Sequence, residues 1–304
     1  MPELIYSNDF HKGTYSLIEL SNDKVLEAIE SSGELVIKGL PEDEAVLCTH
    51  DQTFNLRQVN TSNSLLLARN GSVHDPNIHV LDDLSYTIEV IPCLARLTRI
   101  DELLQSTQYA GESAEQKNVN KEQYTYQELL SIVQASEAEL QKGLAERNAF
   151  ELNGKYRILE RSFMHGLLDA LVTNATIAEL NLDAMPLEAA KGCIRQYHED
   201  GQNIPDPVVM ACLHAFSSQI EQEGSPSLLK LDQYKVCRFM GEVILASARG
   251  KEWTLEDFNQ VWRKLIPDVF SPKMEMLEGL YVITERAAPG LGRIQSYISY
   301  FPVS

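Results

Sequence analysis

The first hundred residues carry short apolar runs that are separated by frequent turns. The runs lie at 15–20, 35–37, 45–48, 53–59, 65–67 and 86–91. Apolar and polar residues partly alternate along 53–59, as expected for a strand with one buried face. Several short strands joined by turns are typical of a small barrel or sandwich. Residues 1–110 are therefore predicted to form a β-rich domain.

Residues 111–123 interrupt this pattern, because they are polar and lack apolar periodicity. We interpret them as a linker. Beyond them, two capping boxes, Thr125-x-x-Glu128 and Ser136-x-x-Glu139, predict the starts of two consecutive helices. Asn153-Gly154 then lies between apolar segments and predicts a type I′ hairpin, because both residues of such a turn need positive φ. The order helix, turn, helix, hairpin is typical of a winged helix.

A second, similar pattern follows this first winged helix, which is predicted at 124–222 with extra helices at 161–172, 186–198 and 207–217. Trp253-Thr254 and Asp257 repeat the aromatic residue, the Thr cap and the acid that open the first pattern. Two apolar runs at 280–301 again predict a hairpin, which favours a second winged helix at 223–304. The predicted fold class is α+β, with an N-terminal β-rich, barrel-forming domain followed by tandem winged-helix domains.

Charge argues against nucleic acid as the main ligand. The 304-residue chain has a formal net charge of −18, so its whole surface cannot coat a phosphate backbone. The predicted helix at 136–147 carries Glu137, Glu139 and Glu146 against only Lys142 and Arg147. A recognition helix needs donors and positive charge, so a protein surface is the better partner for this helix.

Only the last third of the sequence is not acidic overall, since residues 225–304 contain nine acidic and ten basic residues. Its cations can form a DNA-binding face, and the alternative is an ordinary solvated surface. The candidate DNA-binding residues are Lys235, Arg238, Arg249, Lys251, Arg263, Lys264, Lys273, Arg286 and Arg293.

No group of residues points to catalysis. The five cysteines lack metal-binding spacing and are expected to be reduced, buried thiols of an intracellular protein. The segment HDPNIH at 74–79 is interpreted as a polar loop rather than a metal site. Neither a phosphate-binding loop nor a nucleophile elbow is present. We therefore expect no enzyme activity, no cofactor and no metal, and the absence of a long apolar run predicts no membrane partner.

Several sequence blocks carry a resemblance to a known family. The blocks are AVLCTHDQTFNL at 45–56, NTSNSLL at 60–66, YAG at 109–111, YTYQELL at 124–130, QASE at 134–137, GKYRILE at 154–160, FNQVW at 258–262 and LEGL at 277–280. In this order they resemble the sister chromatid cohesion protein DCC family, an accessory subunit of the alternative, cohesion-type replication factor C clamp loader.

The resemblance implies a nuclear, non-catalytic subunit that supports DNA replication, sister chromatid cohesion and the cell cycle. In such proteins the N-terminal domain shares a barrel with the large loader subunit and a small third subunit. The winged helices contact the catalytic subunit of DNA polymerase epsilon and DNA, and the complex loads or unloads the sliding clamp. The resemblance also implies a further winged helix, which is expected to lie beyond the given residues whether the sequence is a natural short form, incomplete or trimmed, so DNA contacts of that module cannot be carried over.

An exposed strand edge is suited to sharing a barrel with a partner. Phe54, Leu56, Leu65 and Leu67 are therefore predicted to belong to the partner-binding faces, and the alternative is that they fill the core of this chain. Two other functions remain open. The protein can be a transcription-type winged-helix DNA binder, or a winged-helix scaffold of an unrelated complex.

Overall fold

The computed structural model describes residues 3–20, 23–31, 33–117, 121–197, 203–220, 227–247, 252–287 and 294–301. The chain forms two compact units. The first unit comprises Met1–Ser106, Glu122–Arg147 and Gly154–Tyr156, and the second comprises Thr107–Lys121, Asn148–Asn153 and Arg157–Ser304. The predicted boundaries at 110, 123 and 222 stay predictions.

The N-terminal part is rich in strands, as the apolar runs predict. In chain order its elements are β1 (Leu4–Tyr6), β2 (Leu17–Glu19), α1 (Asp23–Glu30), β3 (Val36–Lys38), β4 (Val46–Cys48), β5 (Thr53–Asn60), β6 (Leu66–Ser72), β7 (Asp75–Asp83), β8 (Tyr86–Pro92) and α2 (Thr98–Gln105).

The remaining elements are mostly helical. They are α3 (Glu112–Lys117), α4 (Tyr126–Ile132), α5 (Glu137–Glu146), β9 (Phe150–Leu152), β10 (Lys155–Arg157), α6 (Arg161–Ile177), β11 (Met185–Pro186), α7 (Leu187–Arg195), α8 (Asp206–Phe216), β12 (Ser217–Ile220), β13 (Leu228–Leu231), α9 (Gln233–Ser247), β14 (Trp253–Thr254), α10 (Leu255–Lys264), a 3₁₀ turn (Met274–Leu277), β15 (Tyr281–Ala287) and β16 (Ile294–Tyr300).

Two sheets build the first unit. The larger has the order β2-β8-β5-β4-β3, in which β2 runs parallel to β8 and the other pairs are antiparallel. The smaller has the order β1-β7-β6. Strands β2 and β3 are therefore the end strands of the larger sheet, and β1 and β6 are the end strands of the smaller one. The predicted α+β class is confirmed.

One prediction in this region is wrong. Residues 74–79 do not form a polar loop, because strand β7 begins at Asp75 and pairs with both β1 and β6. The polar residues and Pro76 concealed the strand in the sequence. Asp82 is fully buried on β7, and its carboxylate accepts hydrogen bonds from the backbone N–H groups of Gly13 at 2.9 Å and Tyr15 at 2.8 Å.

The local signals of the middle segment are confirmed. Thr125 and Ser136 both cap their helices in complete capping boxes. Asn153 and Gly154 have φ values of 53° and 79°, as a type I′ turn between β9 and β10 requires. The order helix, helix, hairpin recurs at α10, the 3₁₀ turn, β15 and β16. The winged-helix arrangement itself stays a prediction.

In the second unit, helices and two three-stranded sheets pack around one large apolar core. The strand orders of the sheets are β11-β13-β12 and β14-β16-β15. Helices α6, α7 and α8 confirm the predicted helices at 161–172, 186–198 and 207–217 within a few residues. Helix α9 and strands β12 and β13 were not predicted. Trp262 is fully buried, and its indole N–H donates to the carbonyl of Cys237 at 2.9 Å.

Part of the predicted linker is ordered within this second unit. Helix α3 occupies 112–117, and its Glu115 pairs with Arg157, which is only 1% exposed. The Tyr109 N–H donates to the Ile158 carbonyl at 2.9 Å, and the Glu160 N–H donates to the Tyr109 carbonyl at 2.8 Å. Residues 107–117 are therefore part of the folded second unit and do not form a flexible linker.

Candidate functional site

The first unit exposes apolar side chains on the end strands of its sheets. All three residues of β2 are exposed, and Leu17 and Ile18 expose 40% and 41% of their surface. On β3, Val36 and Ile37 are 39% and 59% exposed. Neighbouring residues of a strand point to opposite faces, so each strand presents an apolar side chain on both faces. We call these residues the apolar end strands.

Sequence reasoning missed β2 and β3 as candidate sites. The signal was present, because adjacent apolar residues in a short strand cannot both face one core. Burying Leu17 together with Ile18, or Val36 together with Ile37, needs cover on two sides of the sheet. The described residues of the first unit do not provide that cover.

The four predicted partner-binding residues do not share one environment. Phe54 is fully buried and forms a cluster with Val25, Leu47 and Val90. Leu56 is half-buried and packs against the same cluster, so these two residues contribute to the core of the first unit.

The other two predicted residues are more accessible. Leu65 is 43% exposed, and Leu67 on β6 is half-buried. Leu66 lies between them and is 36% exposed. Among the four, Leu65 is the residue best placed to contact another molecule.

Helix α5, the predicted candidate for a recognition helix, is anchored at its N-terminus inside the first unit. The Ser136 N–H donates to the Thr53 hydroxyl at 2.9 Å, and that hydroxyl donates to the Glu139 carboxylate at 2.5 Å. The Ala138 N–H donates to the carbonyl of His50 at 3.1 Å. The free N–H groups that a helix N-terminus offers to a phosphate are therefore largely occupied by the sheet.

The charged side chains of α5 also have partners within the first unit. Tyr126 donates its hydroxyl hydrogen to Glu137 at 3.1 Å. Arg147 makes two bonds to the Asp101 carboxylate, at 2.6 and 2.7 Å. Lys142 and Glu146 lie 3.9 Å apart. These contacts leave fewer charged side chains of this region free to contact another molecule, and the expectation that the helix does not read DNA bases stays a prediction.

A second polar junction surrounds the chain just before α5. The buried Lys38 ammonium donates to the carbonyl of Ala135 at 2.7 Å, and burial lowers the pKa of Lys38. The Gln134 amide donates to the Glu44 carbonyl at 2.6 Å, while its oxygen accepts from Arg96 at 2.8 Å. The α4–α5 connection is thus held to strand β3 and to the turn before β4 by hydrogen bonds rather than by apolar packing alone.

The candidate DNA-binding residues fall into three groups. The first group has polar partners within the chain. In it, Lys235 donates to the backbone carbonyls of His214 and Ser217, and Arg238 donates to those of Met276 and Glu278. Arg286 forms a two-pronged ion pair with Glu252, at 3.0 and 2.9 Å.

The second group keeps its charge available, since Arg263, Lys264 and Lys273 are exposed and pair with no acid among the described residues. The third group is Arg249, Lys251 and Arg293, which lie outside the described residues. The structure therefore leaves three of the nine predicted cations exposed and uncommitted.

The cysteines are free thiols, as expected. Four are buried and Cys93 is half-buried. Burial raises the pKa of Cys212 to about 12 and that of Cys237 to about 11, so these thiols are poor nucleophiles near neutral pH. Within the described part of the chain, no three His, Cys, Asp or Glu side chains are grouped to hold a metal ion.

The helices that the structure describes include none that combines the length and the apolar character needed to span a bilayer.

Comparisons with known proteins point to a single family. The family model described as sister chromatid cohesion protein Dcc1 matches residues 15–304. The chain is 27% identical over 298 residues to sister chromatid cohesion protein DCC1 of Xenopus tropicalis, covering 94% of this chain and 74% of that protein. It is 27% identical over 297 residues to the probable DCC1 of Dictyostelium discoideum, covering 92% and 75%. The human DCC1 is 27% identical over 289 residues, covering 91% and 71%.

Proposed function

The chain belongs to the sister chromatid cohesion protein Dcc1 family, and from this premise we propose that it is a non-catalytic accessory subunit of an alternative clamp loader. Membership supports a role in sister chromatid cohesion. In the proposed role the protein acts in the nucleus during DNA replication. It joins the large subunit of the cohesion-type loader and a small third subunit, and it reaches the sliding clamp indirectly through that complex.

The observation that carries this proposal is the exposure of the apolar end strands. Leu17, Ile18, Val36 and Ile37 lie on the end strands of one sheet, each of which has one neighbour. An end strand offers unpaired backbone groups and, here, uncovered apolar side chains. Strands from partner subunits that extended this sheet would pair the free backbone groups and cover the exposed apolar side chains. This is the physical basis of a shared barrel.

The remaining contacts of the proposed subunit follow from charge. The polymerase epsilon catalytic subunit is the proposed partner of the segments resembling winged helices, because carboxylates on α5 disfavour a DNA groove. Contact with DNA falls to the second unit, where Arg263, Lys264 and Lys273 are exposed. Three cations give modest, strongly salt-dependent binding rather than a high-affinity site.

Co-purification tests the proposal. The full chain is co-expressed with the large loader subunit and the small third subunit, and the complex is measured by size-exclusion chromatography. Ile18→Glu and Leu65→Glu each place a charge on an exposed position of the first unit, and both are expected to reduce complex formation. Val269→Glu is the matched control, because Val269 is 73% exposed in the second unit.

An undiminished complex with both first-unit variants would overturn the shared-barrel proposal. Leu56→Glu is a less informative variant, because Leu56 packs against the core cluster and its loss can unfold the sheet. Circular dichroism of each variant separates lost binding from lost folding.

A further inference from the structure

A groove opens in the first unit between strand β3, the turn after β4 and helices α4 and α5. Its volume is about 560 Å³, and Val36, Ile37 and Leu130 supply its apolar surface. A neighbouring depression of about 450 Å³ shares Glu34, Thr49 and His50 with it. The two form one continuous surface, which we call the acidic groove.

The charged residues of the acidic groove are almost all carboxylates. Glu34 and Glu137 line the main part, and Glu27 and Asp51 line the extension. Within the part of the chain that the structure describes, the Glu34 and Glu27 carboxylates have no hydrogen-bonding or ion-pair partner. The surface therefore presents the exposed Glu34 and Glu27 carboxylates beside exposed apolar side chains.

The positive charge at this surface does not balance it. Lys38 lines the groove, but its ammonium group is buried and donates to the Ala135 carbonyl at 2.7 Å. The His50 ring nitrogen lies 3.7 Å from the Glu137 carboxylate on the rim. A ligand entering the groove meets the Glu34 and Glu137 carboxylates together with the apolar lining residues.

We propose that the acidic groove binds a linear peptide segment of a partner protein, in which an apolar side chain is flanked by Lys or Arg. The apolar side chain packs against Val36, Ile37 and Leu130, and the flanking cations approach Glu34 and Glu137. A nucleic acid is excluded as the ligand by repulsion from the carboxylates. This site shares Val36 and Ile37 with the apolar end strands, but its carboxylates, Glu34 and Glu137, lie outside strands β2 and β3.

Fluorescence anisotropy with the full chain tests the site. The probe is a fluorescein-labelled nine-residue peptide of alternating Lys and Leu, and the comparison probe alternates Glu and Leu. We expect saturable binding of the Lys-Leu probe only. The double variant Glu34→Gln/Glu137→Gln is expected to weaken it about tenfold, the combined effect of two exposed ion pairs.

Two further variants separate specific binding from general charge attraction. Glu3→Gln/Asp9→Gln removes the same charge from exposed positions of the same unit, and it is expected to leave the affinity within about twofold of the unaltered chain. Ile37→Ser removes an exposed apolar side chain without changing charge, and it is expected to weaken binding severalfold.

Equal weakening by the groove pair and the control pair would overturn the proposal, because the effect would then be one of overall charge. Failure of the Lys-Leu probe to saturate or binding of the Glu-Leu probe would overturn it as well. The groove pair is expected to leave co-purification with the loader subunits unchanged, so failure of this inference is distinct from failure of the shared barrel.

Discussion

The two units of the molecule use apolar residues differently. The second unit gathers its apolar side chains into one extended core, from Tyr109 to Ile298. The first unit has a four-residue cluster around Phe54 and also buries apolar residues outside that cluster, such as Ile100, Leu104, Leu129 and Leu140. Among the described residues, the first unit holds more than twice as many exposed large apolar side chains as the second, although it is the smaller unit.

This difference separates a unit with one extended apolar core from a unit whose sheets end in exposed apolar strands. Apolar burial is the main favourable term in folding, so the second unit has a larger source of stability within its own chain. In the first unit, hydrogen bonds from Ser136 to Thr53 and from Lys38 to Ala135 also hold the start of α5 to the sheet. Three predictions test this contrast.

The largest effect is expected in the core of the second unit. Phe258 is fully buried against Trp262, with ring centroids 5.4 Å apart. Phe258→Ala is expected to lower the free energy of unfolding by about 3–5 kcal/mol, because it removes apolar contacts and leaves a cavity. Urea unfolding followed by tryptophan fluorescence measures it, since Trp253 and Trp262 both lie in the second unit.

Phe301→Ala is the matched control for this variant. Phe301 is 60% exposed in the same unit, and its removal is expected to change the free energy of unfolding by about 0.5 kcal/mol or less. Similar losses for the two variants would mean that the second unit does not depend on its core in the way described.

A smaller effect is expected at the polar junction of the first unit. Thr53→Val keeps the shape of the side chain but removes the hydroxyl that bonds to Ser136 and Glu139. We expect the free energy of unfolding to fall by about 1–3 kcal/mol, because buried groups lose a hydrogen-bond partner. Hydrogen exchange is measured at the Ser136 amide, which is expected to lose protection.

Thr87→Val, on strand β8 of the same sheet, is the control. Thr87 is half-buried, and no hydrogen bond of its side chain occurs within the described residues. Unchanged protection at Ser136 in Thr53→Val would show that the hydroxyl does not hold the helix to the sheet.

The smallest effect is expected at the surface of α4. The Thr125 backbone N–H donates to the Glu128 carboxylate, with further bonds from the Thr125 hydroxyl and Lys155, and together they lower the pKa of Glu128 to about 2 from 4.5. A lowered carboxylate pKa stabilises the folded state above the unfolded pKa. This contribution is therefore present above pH 4.5 and is lost as the pH falls towards 2.

The difference in unfolding free energy between the unaltered chain and Glu128→Gln measures this contribution. It is expected to be constant above pH 4.5 and to shrink below it. Glu42→Gln removes an exposed carboxylate that has no polar partner among the described residues, and it should show no such trend. A difference that persists to low pH would contradict the capping role of Glu128.

The sequence was most informative where structure is set by neighbouring residues. The capping boxes at Thr125 and Ser136 and the turn at Asn153-Gly154 were predicted and are confirmed. Each depends on the backbone conformation and hydrogen bonds of residues within a few positions of one another. The α+β class was predictable for the same reason, because it follows from the spacing of apolar residues.

Residues far apart in the chain decided the rest. Residues 74–79 were predicted as a polar loop, but most of them belong to strand β7. The pairing of β7 with β1 and β6 is not revealed by the local pattern of polar residues. Phe54 and Leu65 are both apolar residues within short apolar runs, yet Phe54 is fully buried and Leu65 is 43% exposed. The acidic groove brings Glu34 and Glu137 together across about a hundred residues.

The sequence by itself determined the family, the acidic balance of the chain and the starts and turns of its middle segment. Tertiary structure alone decided which apolar side chains are covered and which cations stay free. Arg286, for example, is committed to Glu252, whereas Arg263 and Lys264 are not. The physical reason is that burial and ion pairing depend on distances through space, which local sequence patterns do not encode.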